Sequence, residues 1–219
     1  SRVDELLVRE LLAEEGEREV AIRGTTRYVA RLSREQPTPT APALRADATY
    51  LITGGLGGLG LAAARRLIDL GARSLVLLSR RGVTDETAAA IAELAANVVV
   101  ERADVADREA VAGVLARHRV RGVIHAAGVM TPAMIEAIDP ADLPAALAAK
   151  VDGARHLHER TTDLEFFVLC SSIATLLGMP GQGAYAAGNA YLDALAAYRR
   201  ARGLSATSVA WSVIEGTGM

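Results

Sequence analysis

Short apolar runs alternate with longer amphipathic stretches from residue 47 to residue 219. Each short run is typical of a strand buried on both faces, and each longer stretch is typical of a helix that covers such a strand. The runs predict strands near residues 49–53, 74–79, 98–101, 121–126, 164–171 and 206–211. Strands and helices in this order predict an α/β domain with a doubly wound parallel sheet.

The first 46 residues follow a different pattern. Apolar positions at helical spacing predict a helix over residues 3–14. Two alternating runs at residues 18–23 and 27–32 predict a hairpin, and the proline-rich segment 36–42 predicts an extended linker. Because these elements are too few to form a core by themselves, residues 1–46 are predicted to be separate from the main domain.

A glycine-rich turn follows the first strand of the main domain. Gly55, Gly57 and Gly60 have the G-x-G-x-x-G spacing, which permits a tight turn, close approach of a pyrophosphate and close packing of the next helix. The next helix directs its unpaired N–H groups and positive dipole end toward the phosphates. The turn therefore predicts a Rossmann-type dinucleotide site. Its predicted cofactor contacts are Thr53, Gly55, Gly57, Gly58, Leu59 and Gly60.

The end of the second strand indicates which dinucleotide binds. An NAD site usually has an acidic residue about 20 residues after the glycines, whereas an NADP site has positive charge there. Here the strand ends in Ser79, Arg80 and Arg81, with no carboxylate at its tip. The sequence therefore predicts NADPH, with Arg80 the first candidate for its 2′-phosphate and Arg81 the second. The alternative is that both arginines are solvated loop cations.

Small residues end the strand near 121–126. Ala126, Ala127 and Gly128 are predicted to let a nicotinamide lie against the backbone at the carboxyl edge of the sheet, although small residues there can also reflect close packing alone. His125 precedes them inside an apolar run, which favours a core histidine over a catalytic one.

Four polar side chains are predicted to meet beside the nicotinamide. Tyr185 and Asn189 are four residues apart on a predicted helix and share one face. Ser172 ends the preceding strand and can meet that face, and Lys150 on an earlier helix could reach the same place. Each residue alone has an ordinary structural explanation, but their combination beside a nucleotide turn predicts a catalytic site.

Composition excludes several other classes of function. The 219 residues carry a net charge of −2, so nothing suggests a nucleic-acid groove or an anionic membrane surface. A single cysteine, Cys170, fits a reducing compartment and is predicted to be an inert core thiol. His156 and His158 are two residues apart on a predicted helix and make a poor metal pair. With no signal peptide or membrane span, the protein is predicted to be cytoplasmic.

Together these segments resemble the ketoreductase domain of modular type I polyketide synthases, a branch of the short-chain dehydrogenase/reductase family. The ketoreductase of type I fatty acid synthases is also similar. The resemblance assigns a catalytic tetrad of Lys150, Ser172, Tyr185 and Asn189. In most of the superfamily the lysine follows the tyrosine by four residues, whereas here Asn189 fills that place. Residues 1–35 resemble the end of the structural subdomain that precedes the catalytic half.

The segments that carry the resemblance include 53–60, 77–82, 103–107, 123–129, 150–154, 171–172 and 182–193. By resemblance, Asp104 and Val105 contact the adenine end of the cofactor. A structural alternative is that Asp104 caps the helix that begins around Asp107.

The reaction that the resemblance implies is NADPH-dependent reduction of a β-ketoacyl thioester on an acyl carrier protein, with other domains of the same synthase as further partners. The alternatives are a redox-inactive or epimerising ketoreductase-like domain and a free-standing alcohol dehydrogenase. The family marker for the D-hydroxy product is replaced by Met130, Thr131 and Pro132. The tryptophan that marks the opposite product would align with Leu177. The sequence therefore leaves the stereochemistry open.

Overall fold

The computed structural model describes residues 2–13, 17, 19–36 and 44–214. The chain divides into two compact units, residues 1–40 and 41–219. The domain boundary predicted at residue 46 stays a prediction.

The first unit contains a helix and a hairpin, as predicted. Its elements are α1 (Arg2–Leu11), β1 (Val20–Arg23) and β2 (Thr26–Val29). The two strands are antiparallel, and Gly24 in their turn has a φ of +61°, which suits glycine. Arg27 donates from Nη2 to Glu10 Oε1 at 2.7 Å and thereby joins the hairpin to the helix. The predicted linker lies outside the described residues except for Gln36.

The second unit is built on a six-stranded parallel sheet, which confirms the predicted fold class. Its strands are β3 (Thr49–Thr53), β4 (Ser74–Ser79), β5 (Asn97–Arg102), β6 (Val120–His125), β7 (Phe166–Ser172) and β8 (Thr207–Trp211). Their order across the sheet is β5-β4-β3-β6-β7-β8. The chain reverses its direction of travel across the sheet between β3 and β6, and ligands of such sheets bind outside the carboxyl ends of the strands at this switch point.

Helices cover both faces of the sheet. They are α2 (Gly58–Asp69), α3 (Asp85–Ala92), α4 (Arg108–Arg117), α5 (Leu143–Ala148), α6 (Val151–Arg160), α7 (Ala174–Leu177) and α8 (Gly183–Ala201), with a short 3-10 helix at Ile135–Ala137. Within β3, Leu51 packs into one core with residues of α4, α6 and α8, whereas Ile52 packs into a second core with residues of α2. Burial of both faces explains the unbroken apolar runs. No helix in the described ranges is long and apolar enough to cross a membrane.

A buried arginine near the end of α8 fixes that helix to its surroundings. Arg199 is fully buried and donates from Nε to the Ser205 carbonyl oxygen at 3.2 Å and from Nη1 to that of Thr161 at 3.1 Å. Nη1 also lies 3.0 Å from His158 Nδ1, and the guanidinium stacks 4.0 Å from the centre of the Phe167 ring. The far end of α8 is therefore tied to α6, to β7 and to the loop before β8.

Candidate functional site

The glycine turn after β3 forms a cradle that has no room for a Cβ at three of its positions, Gly54, Gly55 and Gly60. A Cβ at Gly60 would overlap the Gly54 carbonyl oxygen, and one at Gly55 would lie 2.8 Å from the Ile52 carbonyl oxygen. Gly54, which the spacing argument did not single out, has a φ of +66°, and a Cβ there would lie 2.9 Å from the Ala126 carbonyl. The N-cap residue of α2, Gly57, makes no side-chain capping bond, so the first N–H groups of the helix face the crevice uncapped.

A buried hydrogen-bond chain holds β3 and β6 together at the switch point. Thr53 Oγ1 lies 2.7 Å from His125 Nδ1 and accepts a weak bond from the Ala127 N–H at 3.4 Å. Both Thr53 and His125 are fully buried. Burial, reinforced by the nearby Lys150 charge, lowers the pKa of His125 to about 3, so its ring is neutral at pH 7. His125 is thus a core histidine, as its position in an apolar run predicts.

The same interior packing surrounds Val105, which is 2% exposed and lies against Gly153. The predicted contacts of Thr53 and Val105 with a cofactor stay predictions.

The end of the crevice where the adenosine of the cofactor is predicted to lie, called the adenosine end below, is exposed and rich in charge. Arg80 Nη1 lies 3.7 Å from Asp104 Oδ2, and Asp104 Oδ1 accepts the Ala106 N–H at 2.9 Å. The helix that begins at Arg108 is capped by Asp107, which accepts the N–H groups of residues 109 and 110. The structural alternative for Asp104 as the cap of that helix is therefore wrong. Arg81 is exposed, and Ser79 is partly buried at the end of β4.

Lys150 lies at the buried end of the crevice. The sequence predicts that Lys150 lies within a helix, and this prediction is wrong. Lys150 is the N-cap residue of α6, in the turn after α5. Its side chain is almost fully buried, and Nζ donates to the Cys170 carbonyl oxygen at 3.0 Å. Nζ also lies 5.5 Å from the centre of the Tyr185 ring. The structure thus brings the ammonium and the phenol ring together.

Two glycines make the space that the lysine occupies. A Cβ at Gly128 would lie 2.9 Å from Lys150 Cε, and one at Gly188 would lie 3.4 Å from Lys150 Cβ. This enclosure has an electrostatic consequence, because burial penalises the charged amine. It lowers the pKa of Lys150 to about 8. Cys170 is buried as predicted, and burial raises the pKa of its thiol.

The remaining predicted catalytic residues lie on β7 and α8. Tyr185 is partly exposed in the first turn of α8, and Asn189 is fully buried one turn later. Asn189 Nδ2 donates to the Tyr185 carbonyl oxygen at 2.8 Å, and Asn189 Oδ1 has no hydrogen-bond partner among the described residues. Ser172 Oγ accepts the Ala174 N–H at 3.2 Å. Its hydroxyl proton has no acceptor in the part of the chain that the structure describes, so it can serve a ligand.

Within the described ranges, no three His, Cys, Asp or Glu side chains cluster in a way that could hold a metal ion.

A comparison with protein-family models identifies the family. The model described as "KR domain" matches residues 48–216, which is most of the chain. The chain belongs to the KR domain family. This KR domain is 50% identical over 204 residues to the phenolphthiocerol synthesis polyketide synthase type I Pks15/1 of Mycobacterium marinum. That alignment covers 88% of the chain and 10% of the relative.

Solved structures of other KR domains have the same fold. The first ketoreductase of the tylosin polyketide synthase is 42% identical, with a TM-score of 0.86 over 98% of this chain and 49% of that one. The ketoreductase from the first module of phoslactomycin biosynthesis in Streptomyces sp. HK803 is also 42% identical, with a TM-score of 0.85 over 95% of this chain and 50% of that one. The chain thus spans about a tenth of the mycobacterial relative and about half of each solved domain.

Membership in this family implies a nicotinamide cofactor. The glycine cradle, the uncapped start of α2 and the small residues after β6 fit such a group, because together they leave open backbone at the switch point.

Proposed function

We propose that this KR domain reduces a β-ketoacyl thioester, carried on an acyl carrier protein, to the β-hydroxyacyl thioester with NADPH. The observation that carries the proposal is the position of Lys150. Its side chain lies between Gly128 of the proposed nicotinamide surface and Gly188 of α8. Its buried ammonium is 5.5 Å from the centre of the Tyr185 ring. A cation beside a phenol at this edge of the sheet suits proton donation to a substrate reduced there.

Tyr185 is proposed to be the general acid. NADPH, when bound, supplies a hydride to the β-carbonyl carbon of the substrate. Tyr185 gives its phenolic proton to the carbonyl oxygen as negative charge develops there. An ordinary phenol has a pKa of about 10, so a neighbouring ammonium favours the phenolate that remains. Lys150 supplies that positive charge from a site shielded from water, where electrostatic interactions are stronger than in solvent.

Ser172 and Asn189 are proposed to position the reacting groups. Because Ser172 Oγ already accepts the Ala174 N–H, its hydrogen is oriented away from that bond and can be donated to the substrate carbonyl oxygen. The buried Asn189 Oδ1 can accept a hydrogen bond from Lys150 or from a water molecule that relays protons to Lys150. Its Nδ2 bond to the Tyr185 carbonyl oxygen fixes the amide orientation.

Cofactor binding is proposed to follow the crevice from one end to the other. The pyrophosphate binds the turn and the start of α2 through Gly55, Gly57, Gly58, Leu59 and Gly60. The nicotinamide lies on Ala126, Ala127 and Gly128, the adenine lies near Asp104 and Val105, and the 2′-phosphate lies near Ser79, Arg80 and Arg81. Exposed guanidinium groups at the adenosine end support NADPH over NADH.

The partner domains are proposed from chemistry and from the relatives. The matched polyketide synthases are far longer than this chain, which supports a place beside other domains of one synthase. A substrate tethered as a thioester needs a carrier, and an acyl carrier protein with a phosphopantetheine arm supplies it.

The direct test is oxidation of NADPH with a simple β-ketothioester or trans-1-decalone, followed at 340 nm. We expect substrate-dependent oxidation and formation of the corresponding alcohol. Tight binding of NADPH without any oxidation would contradict the proposal and support the redox-inactive alternative.

A further inference from the structure

A third arginine lies beside the two that the sequence singles out at the adenosine end. Arg102 ends β5 and is paired in the parallel register with Ser79, the last residue of β4. Its Nε donates to the Arg80 carbonyl oxygen at 3.4 Å, and its Cδ is 3.5 Å from where a Cβ of Gly82 would be. Gly82 has a φ of +68°, so the turn after β4 folds back over the stem of Arg102. The side chain is thus held against this turn.

The charges of Arg80 and Arg102 are balanced differently. Arg80 has Asp104 within 3.7 Å, whereas Arg102 is exposed and has no ion pair among the described residues. The acidic neighbour of Arg102 along β5, Glu101, faces the other side of the sheet and pairs with Arg117 and with His118. The adenosine end therefore carries positive charge that its carboxylates do not neutralise.

We propose that Arg102 determines cofactor specificity by binding the 2′-phosphate of NADPH together with Arg80. The inference rests on the proposed use of NADPH. A 2′-phosphate carries close to two negative charges, and Arg80 is already partly neutralised by Asp104. The Nε of Arg102 is used by the Arg80 carbonyl, which leaves both Nη groups for the phosphate oxygens.

The experiment measures binding of two adenosine fragments by calorimetry on the full chain. Adenosine 2′,5′-bisphosphate carries the phosphate in question, and 5′-AMP lacks it. For Arg102→Ala we expect about a tenfold loss of affinity for the bisphosphate, the size of one exposed charge-assisted hydrogen bond. Affinity for 5′-AMP should change less than about twofold, because no contact to it is removed.

Two further variants separate phosphate binding from other effects. Arg102→Lys keeps the charge and the stem but loses the fork, so it should recover part of the affinity for the bisphosphate. Arg66→Ala makes the same change in net charge on the exposed last turn of α2, away from the glycine turn at the other end of that helix. It should leave both affinities unchanged.

Other outcomes would overturn the inference. If Arg102→Ala binds the bisphosphate as the wild type does, or loses affinity for both fragments equally, Arg102 does not bind the 2′-phosphate. If the wild type binds both fragments equally well, the preference for NADPH in the proposed function fails as well. If Arg102→Ala does not fold, the Arg102→Lys variant becomes the test. An affinity for the bisphosphate equal to that of the wild type would then show that the guanidinium fork does not bind the 2′-phosphate.

Discussion

The two ends of the proposed cofactor crevice both use cations, but in opposite surroundings. Lys150 is enclosed by two glycines and the Cys170 carbonyl, and burial lowers its pKa to about 8. Arg80 and Arg102 are exposed to solvent at the other end. The ion pair that Arg80 forms there with Asp104 has a distance of 3.7 Å between nitrogen and oxygen.

This contrast follows from what each end is proposed to do. An amine that assists proton transfer benefits from a pKa near the working pH, which burial provides. A site that recognises a phosphate benefits from a permanent charge and a planar fork of donors, which an arginine keeps even in water. In the proposed site, a lysine therefore assists the proton transfer and arginines bind the phosphate.

The largest expected effect is at the buried end. Tyr185→Phe removes the proton donor and keeps the ring beside Lys150, so we expect kcat to fall by about 100-fold or more. The dissociation constant of NADPH should change little. Steady-state kinetics and a direct binding titration measure the two quantities.

A matched control lies on the same helix. Tyr198 is exposed two turns or more beyond Asn189, with its ring against His158 and Arg202. Tyr198→Phe removes a hydroxyl group but should leave kcat unchanged. Equal kcat values for Tyr185→Phe and the wild type would remove Tyr185 from its proposed role.

An intermediate effect is expected from the protonation of Lys150. Its ammonium is charged below its pKa of about 8, so kcat should decline as the pH rises through that value. In Lys150→Arg the charge persists, and the decline should move upward by about two pH units or more. A kcat of the wild type that is constant from pH 7 to pH 9.5 would contradict the role of the ammonium.

The free energy of unfolding should also change as Lys150 titrates, but it should increase with pH, whereas kcat decreases. The folded state binds fewer protons than the unfolded state between the lowered pKa of about 8 and the ordinary value of 10.5. The free energy of unfolding should therefore rise with pH across that window, and Lys150→Met should lose this part of the slope.

The smallest expected effect is at the exposed end. Arg80→Ala should raise the KM for NADPH by about three- to tenfold, because an exposed ionic contact is screened by water and Arg102 remains. The KM for NADH should stay near its original value, so the ratio of the two constants narrows. An unchanged ratio would remove Arg80 from the phosphate site.

The sequence predicted the sheet well because its signal is local. Strands β3 and β4 begin and end at the predicted residues, since each is an apolar run bounded by polar residues or glycine. The helix start after the glycine turn also follows from the local pattern. A continuous apolar run of this kind is typical of a strand that is buried on both faces.

Side-chain surroundings were harder to predict because they depend on distant parts of the chain. No glycine or proline marks the turn between α5 and α6, so the sequence pattern predicts that Lys150 lies within a helix. Asp104 and Asp107 are three residues apart and of the same type, and only the structure shows which one caps α4. Arg102 lies at the adenosine end through the pairing of β5 with β4, which no pattern within β5 reveals.

The buried Arg199 has a consequence for how product stereochemistry can vary on this scaffold. Its guanidinium donates hydrogen bonds to the carbonyl oxygens of Thr161 and Ser205. A shift of α8 by one residue, about 1.5 Å along its axis, would break both hydrogen bonds. Tyr185, the proposed acid, and Asn189 lie on the same helix. If α8 and the proposed acid stay in place, the configuration of the hydroxyl product depends on which face of the ketone the substrate presents to the nicotinamide.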